Sequence, residues 1–429
     1  VFTFLALVSL FSIPFLLCGM SVAAKIDMNI IRVPLDFPTI QDAVNGAPSG
    51  STILVDNGVY YEHVSISKTL TLLGADEQAT IIDGSDNGTI ITVTADNVLI
   101  NGFTVRNSST LLNADGILLE NSSGSTISGN TVALCGGAGI GLADSTNDTV
   151  TDNIVSSIGK TVGILLGNGI SLESSLNNTI SDNLITDSAQ TGVNLFSSND
   201  NIISGNTIQN NGFGINEVLS NDNVHFSNDF LHNLVQAEVN TSTVNSTGAW
   251  SVNGRGNYWD DYTGLDDGSG GRVAGDGVGD TNLPWQRVDY YPLINPVNLQ
   301  VLWNNTAFPV SISSNLTVSA FNFDEANRAI DFYLEYPANA TGYINVSALT
   351  TLLGYPWSVL ANGINATSLA VISQNETCTS IYLNTFQTIH SIQIVGANVV
   401  PEYPTEMIVP ILIVMLSLLL AATKKKRNK

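Results

Sequence analysis

The chain has 429 residues, enough for two or three domains, and 44% of them are hydrophobic, so a sizeable core is available and wholesale disorder is excluded. Its 37 acidic residues against 14 basic ones give a net charge of −23. Five of the basic residues (Lys424, Lys425, Lys426, Arg427 and Lys429) lie in the last six positions, and the few that remain are too scattered to build a phosphate-binding surface, which argues against nucleic acid as a partner.

Residues 1–24 read as an export signal. Positions 1–17 are almost wholly apolar, and the small residues Ser21, Ala23 and Ala24 offer a cleavage site. The leading Val and the lack of a charged first segment predict that the natural start lies upstream; a membrane anchor is the competing reading. Next, residues 39–47 carry Ile40, Ala43 and Val44 at helical spacing, which predicts a short amphipathic helix. Short strands are expected at 52–55, 64–66, 70–73, 80–82 and 89–93.

The middle of the chain repeats. Gly116-Ile117, Gly139-Ile140, Gly169-Ile170, Gly192-Val193 and Gly214-Ile215 are one element, recurring at intervals of 23, 30, 23 and 22 residues. A second element ends in Asn130, Asn153, Asn183, Asn206 and Asn228 and keeps the same uneven intervals. Each repeat holds short alternating apolar runs broken by Asn, Gly, Ser and Asp, a pattern of strands and turns with no room for a helix. Strands whose like residues recur every ~22 positions stack at about 4.8 Å per rung, giving a parallel β-helix with inward ladders of Ile and Val. The recurrent Asn is expected at a corner, in left-handed geometry, with its amide bonding along the stack. The helix at 39–47 would cover the first, otherwise open, end of the coil. The long interval between Gly139 and Gly169 places about seven extra residues near 156–162, which must leave the coil as a loop.

These segments resemble the NosD-like and CASH (carbohydrate-binding and sugar-hydrolase) right-handed β-helices of the pectin-lyase superfamily. The matching residues are Asp36-Phe37-Pro38-Thr39-Ile40-Gln41-Asp42-Ala43-Val44, Gly58-Val59-Tyr60-Tyr61-Glu62, the repeats, and Gly256-Asn257-Tyr258-Trp259-Asp260-Asp261-Tyr262. The run from Asp276-Gly277-Val278-Gly279-Asp280 to Asp289-Tyr290-Tyr291-Pro292-Leu293 looks like archaeal surface members. The resemblance covers about residues 32–295 and implies an all-β, right-handed parallel β-helix; it speaks weakly for any activity, because the superfamily mixes enzymes and non-enzymes.

Beyond it, residues 297–400 lose the repeat and show alternating strands near 311–323, 329–336 and 381–383, which predicts a small β-sandwich. Pro401-Glu402-Tyr403-Pro404 is similar to the Pro-Glu-Phe signal of archaeal sorting tails, with Tyr for Phe. Residues 405–423 are apolar enough for a transmembrane helix, and the basic tail 424–429 would stay cytoplasmic, leaving the rest anchored at the cell surface. Cys135 and Cys378 fall in different predicted domains, so no disulfide is expected.

Residue types weigh the chemistry. A uronate lyase needs clustered cations, and Lys68, Arg106, Lys160 and Arg255 are too far apart in sequence to share adjacent rungs. A glycosidase needs two carboxyls about 5 to 10 Å apart. Asp152 and Asp182 hold one position on successive marked rungs and are the catalytic candidates, against the plainer reading of two turn aspartates. Gly58-Val59-Tyr60-Tyr61-Glu62 is similar to the opening motif of pectin methylesterases, but that family's later catalytic segments have no counterpart, and the Asp-Pro-His of a C5-epimerase is absent too. Copper, which the NosD name implies, wants imidazole or thioether ligands, and all four Met lie outside the coil; it is disfavoured as a cofactor. Asp266, Asp267, Asp276 and Asp280, interleaved with Gly, resemble an extracellular calcium loop, with a solvated acidic loop as the alternative. Lys160, on the predicted loop, and Trp250 and Trp259, in an aromatic-rich segment, are the ligand-binding candidates; the rival role for the tryptophans is to plug the end of the coil. The reading is an exported surface protein, leaning non-catalytic, for glycan recognition or envelope structure; the alternative is a polysaccharide hydrolase, lyase or epimerase.

Overall fold

The computed structural model describes residues 30–110, 114–159, 167–240, 248–338 and 340–397. The stretches read as export signal (1–24), membrane span (405–423) and basic tail (424–429) lie outside the described residues, as does Lys160. Among the described residues no helix is long and apolar enough to cross a membrane.

From Ile30 to Trp259 the chain winds as a right-handed parallel β-helix of about nine turns. Each coil gives one short strand to each of three parallel sheets. The first sheet runs from Ile30–Val33 to Val224–Phe226, the second from Val64–Ile66 to Val235–Asn240, and the third from Gly58–Tyr60 to Tyr258–Trp259. A representative coil passes through Thr126–Ser128, Thr131–Ala133 and Ala138–Ala143 before re-entering the first sheet at Thr149–Thr151.

Alternation decides which side chains face the lumen. Ile117, Ile140, Ile170, Val193 and Ile215 stand in register as one ladder, and every member is fully buried. The third sheet builds a parallel ladder from Val132, Val155, Ile185, Ile208 and Phe230. At the corner between first and third sheets the predicted Asn ladder is present. Asn130, Asn153, Asn183, Asn206 and Asn228 each donate N–H and Nδ2 to the Oδ1 of the next Asn along, ending on Asn257. The left-handed residue at this corner is not the Asn. It is the residue before it, as at Asp152 (φ 55) and Asp182 (φ 56), because the Asn must keep its side chain inside the stack while its predecessor turns the chain.

Both ends of the lumen are closed. The helix Ile40–Gly46 buries Ile40, Ala43 and Val44, and Thr39 caps it by accepting the Asp42 N–H. Glu62 accepts the free N–H groups of Ile40 and Gln41 at 3.0 and 2.9 Å, so the Gly58–Glu62 motif serves here as a strand and a helix cap. At the far end Trp259 stacks on Phe230 and Trp250 in the core. Asp289 holds this plug by accepting Asn257 N–H and Trp259 Nε1–H. Gly256 is required there, since any side-chain carbon would collide with the Asp289 carboxylate.

The second domain has two five-stranded antiparallel sheets around one core that includes Ile312, Phe332, Ile344, Ile381 and Ile394. The predicted run 311–323 is two strands, Thr306–Ser314 and Thr317–Asp324, placed in different sheets. The domain leans on the third sheet of the β-helix. Asp229 accepts the N–H groups of Val297 and Asn298, Thr207 donates to Asn298 O, and Gln78 donates to Thr306 Oγ1. This docking covers much of the third sheet's outer side and leaves that of the second sheet open.

Candidate functional site

The second sheet carries a cleft of about 590 Å³ on its outer face. It is made by a run of small residues. Where neighbouring rungs present Leu118, Ser171 and Asn194, the rung Ala138–Ala143 presents Gly141, and the turn before it is Gly136-Gly137. That turn is also short: four residues join Thr131–Ala133 to Ala138–Ala143, against ten and eleven on the coils either side. The depression is walled by Leu118, Gln190, Asn194 and Phe196, the last 41% exposed.

Two carboxyls meet this cleft. Asp115 lies flat over the glycines: its Oδ1 accepts the Ala138 N–H at 2.7 Å, and a side-chain carbon at Gly141 would come within 2.6 Å of its Oδ2. Burial pushes Asp115 up to about 6; the Ala138 N–H works against that shift and the charge of Glu173 adds to it. Glu173 stands exposed on the same face, two rungs along. The strand that ends at Glu173 begins at Asn168, which also lines the cleft and whose buried side-chain oxygen has no donor. Among the described residues the cleft lining contains no Lys, Arg or His. Acid, carboxylate, amides and an aromatic wall suit hydroxyl-bearing ligands and disfavour anions.

Sequence reasoning missed this cleft, although Gly136-Gly137 and Gly139-Ile140-Gly141 are the smallest stretch of any repeat and were its visible trace. The candidates it did single out lie elsewhere. Asp152 and Asp182 are stacked neighbours, following the paired Thr151 and Ser181, and they line the seam between β-helix and sandwich. Asn298 donates to Asp182 Oδ1 at 3.2 Å, and burial followed by the charge of Asp152 raises the Asp182 carboxyl. Trp250 and Trp259 need correcting as ligand-binding residues: both are buried in the plug, where their rings replace the missing next coil and reach no ligand. In the acidic loop every carboxylate is engaged by backbone amides. Asp266 accepts from Gly275 and Gly277, Asp267 from Ser269, Asp276 from Val278 and Asp280 from Gly268. Among the described residues no three His, Cys, Asp or Glu are grouped to hold a metal ion. Cys135 and Cys378 are unpaired.

Comparison with known proteins follows the repeats. The chain is 39% identical over 121 residues to a probable ABC transporter binding protein NosD of Stutzerimonas stutzeri, an alignment covering 24% of this chain and 26% of that one. It is 31% identical over 113 residues to a cell surface glycoprotein of Methanothermus fervidus, covering 26% of this chain and 18% of that protein. The chain thus spans about a quarter or less of the curated relatives it matches. Among solved structures, the family 28 exopolygalacturonase of Yersinia enterocolitica shares 15% identity at a TM-score of 0.41, over 55% of this chain and 60% of the other. The Dettilon tailspike protein shares 13% at a TM-score of 0.36, over 86% and 94%. At these scores neither bears on activity.

A family model described as periplasmic copper-binding protein (NosD) matches residues 44–264. The described residues do not fit copper. His63 bonds Thr89 O, His225 is sealed in the lumen, His232 lies 3.4 Å from Asp260, and His390 packs edge-on against Tyr336, so the imidazoles never converge. All four Met fall outside the described residues. The match nevertheless begins in the capping helix, runs through every repeat and ends in the aromatic plug, and on that ground the chain belongs to the NosD family.

Proposed function

We propose that this protein is a surface recognition module that binds an uncharged glycan in the cleft of its second sheet. The observation that carries this reading is the make-up of the cleft, where exposed Phe196 and Glu173 stand with the amides of Gln190 and Asn194 around a floor of glycines. Phe196 would stack on a sugar face, while Glu173 and the amides of Gln190 and Asn194 would take hydroxyls. The absence of cations among the described lining residues and the net charge of −23 oppose a uronate polymer. Export and an apolar C-terminal tether, as the sequence suggests, would place the cleft outside the cell.

Titration calorimetry with neutral oligosaccharides tests this. Phe196→Ala should weaken binding about tenfold, or roughly 1.4 kcal/mol, with the fold intact. Unchanged affinity in that variant, or a preference for alginate over neutral sugars, would defeat it.

A second reading has its own support: an acid pushed up to about 6 beside an exposed carboxylate is the pair that glycoside hydrolysis employs. Release of reducing ends from a bound oligosaccharide, abolished by Asp115→Asn, would turn the binding module into a hydrolase.

A further inference from the structure

The sandwich carries a face that the cleft reading leaves unused. Its sheet is ordered Gln300–Trp303, Thr306–Ser314, Thr341–Leu349, Cys378–Phe386, Val371–Gln374. Along the inner strands Ile312, Ile344, Val346, Ile381 and Leu383 point into the core, so alternate positions form an outer face. Register sets those positions in rows. Ser311, Ser347, Ser380 and Ser373 make one row, and Ser313, Asn345, Tyr382 and Val371 the next, followed by Tyr343 opposite Asn384.

None of these rows contains a charged residue, in a chain with a net charge of −23. The other sandwich sheet differs: Asp331 and Glu335 alternate with its core residues Ile330, Phe332 and Leu334. On the uncharged face Tyr343 and Tyr382 stack with centroids 5.9 Å apart and planes at 19°. Tyr382 Oη donates to Asn384 Oδ1 at 3.0 Å, which orients the ring. The serine row runs into the seam between domains, since Ser311 and Ser347 line, with Asp152 and Asp182, a groove of about 460 Å³.

We propose that this face is a second binding platform, for an uncharged polysaccharide lying across Tyr343 and Tyr382 and running into the groove at Asp152 and Asp182. The chemistry selects the occupant. Stacked phenol rings hold the faces of sugar rings, and hydroxyls and amides spaced by the strand pleat take sugar hydroxyls. The carboxylates of Asp152 and Asp182 accept hydroxyl hydrogens and repel a polyanion. A basic protein would find no carboxylate on the tyrosine rows to pair with. The proposal stands independently of the cleft on the second sheet, which is on another face.

The test uses the intact chain in affinity electrophoresis with hydroxyethylcellulose and galactomannan as uncharged probes and alginate as the charged one. Wild type should be retarded by at least one uncharged probe and not by alginate. Tyr343→Ala with Tyr382→Ala should lose at least tenfold in affinity, Tyr382→Phe should stay within twofold, and Tyr333→Ala, an exposed tyrosine on the other, charged sheet, should leave this retardation in place. Thermal melting of each variant separates loss of binding from loss of fold. Four results would overturn the proposal: no retardation of wild type, an unaffected double variant, a double variant that converts a dimer to a monomer in sedimentation without changing retardation, or a glycan found by mass spectrometry on Asn345 of the Asn345-Val346-Ser347 sequon, which would cover the face.

Discussion

Glu217 and His225 stand in columns otherwise made of aliphatic residues. Leu119, Leu142, Leu172 and Leu195 precede Glu217 in one inward ladder, and Ile180 and Ile203 precede His225 in another. The two meet in the lumen, His225 Nε2 lying 3.3 Å from Glu217 Oε1 with both side chains buried. Asn223 donates to the same oxygen at 2.7 Å, and Trp250 stacks on the imidazole with ring centroids 4.3 Å apart. Burial pulls Glu217 upward, but the charge of His225 and the amide of Asn223 outweigh it and hold the carboxyl below its ordinary value. Its contribution to stability is therefore present above the unfolded value of 4.5 and is lost as pH falls through the lower folded one. Glu217→Leu alone leaves His225 unpaired in an apolar lumen and should cost about 3–5 kcal/mol in equilibrium urea unfolding. Adding His225→Ile should restore wild-type stability or exceed it, because the pair then becomes two more rungs of ladder. The pair is legible in retrospect: Gly214-Ile215-Asn216-Glu217 breaks the Leu that closes the same motif in Gly192-Val193-Asn194-Leu195.

Among elements, the coil shows how far spacing alone reaches. The Asn ladder and the Ile ladder were both visible as intervals, because in a stacked coil every lateral contact recurs at one coil's separation. The assignment of left-handed geometry to the Asn failed, because spacing does not say which of two adjacent polar residues turns the chain. The long interval does fall between Ile154–Ser156 and Asn168–Glu173, but later than the expected 156–162: Ser156, Ser157 and Gly159 still bond to the neighbouring coils, and the register resumes with Ala138 opposite Asn168 and Ile140 opposite Ile170. Gly159 and Gly167, which flank the undescribed residues 160–166, come into close backbone contact. Gly159 N–H bonds Cys135 O on the coil before, and Gly167 O accepts from Gln190 on the coil after. Deleting 160–166 to join those glycines should shift the melting temperature by less than about 4 °C, the equivalent of roughly 1 kcal/mol or less. A larger fall would mean that the segment supports the stack.

At the level of the whole molecule, the acidic excess is partly internal. Burial pushes Asp115, Asp148 and Asp260 up to about 6 and Asp229 up to about 7. A carboxyl raised in the folded state favours folding fully below its unfolded value of 3.8 and loses that contribution as pH rises through its folded value. These four groups therefore withdraw stability between pH 4 and 7, while Glu217 and Asp83, both lowered, withdraw it only in more acid solution. The melting temperature should be higher at pH 5 than at pH 8 in calorimetry, and Asp229→Asn should flatten the difference. A profile that rises from pH 5 to 8 would contradict the assignment. Asp229 also joins the domains through Val297 and Asn298, so the same scan reads the docking of the sandwich.

The amino-acid order by itself determined the β-helix, its register and its capping helix. In a solenoid the contacts that build the core lie a constant distance apart along the chain, so a one-dimensional pattern is already a three-dimensional one. It also determined that Asp152 and Asp182 are neighbours. The cleft escaped that logic: Asp115 and Asn168 hold one repeat position two rungs apart and Phe196 another, and they share a surface only because Gly137 and Gly141 leave the space between them open. The fate of the tryptophans escaped it too, since nothing in their spacing says whether a ring closes the lumen or faces the solvent. The tertiary structure decided that, and it decided which sheet the sandwich covers and which it leaves open, because domain docking depends on surfaces that no repeat encodes.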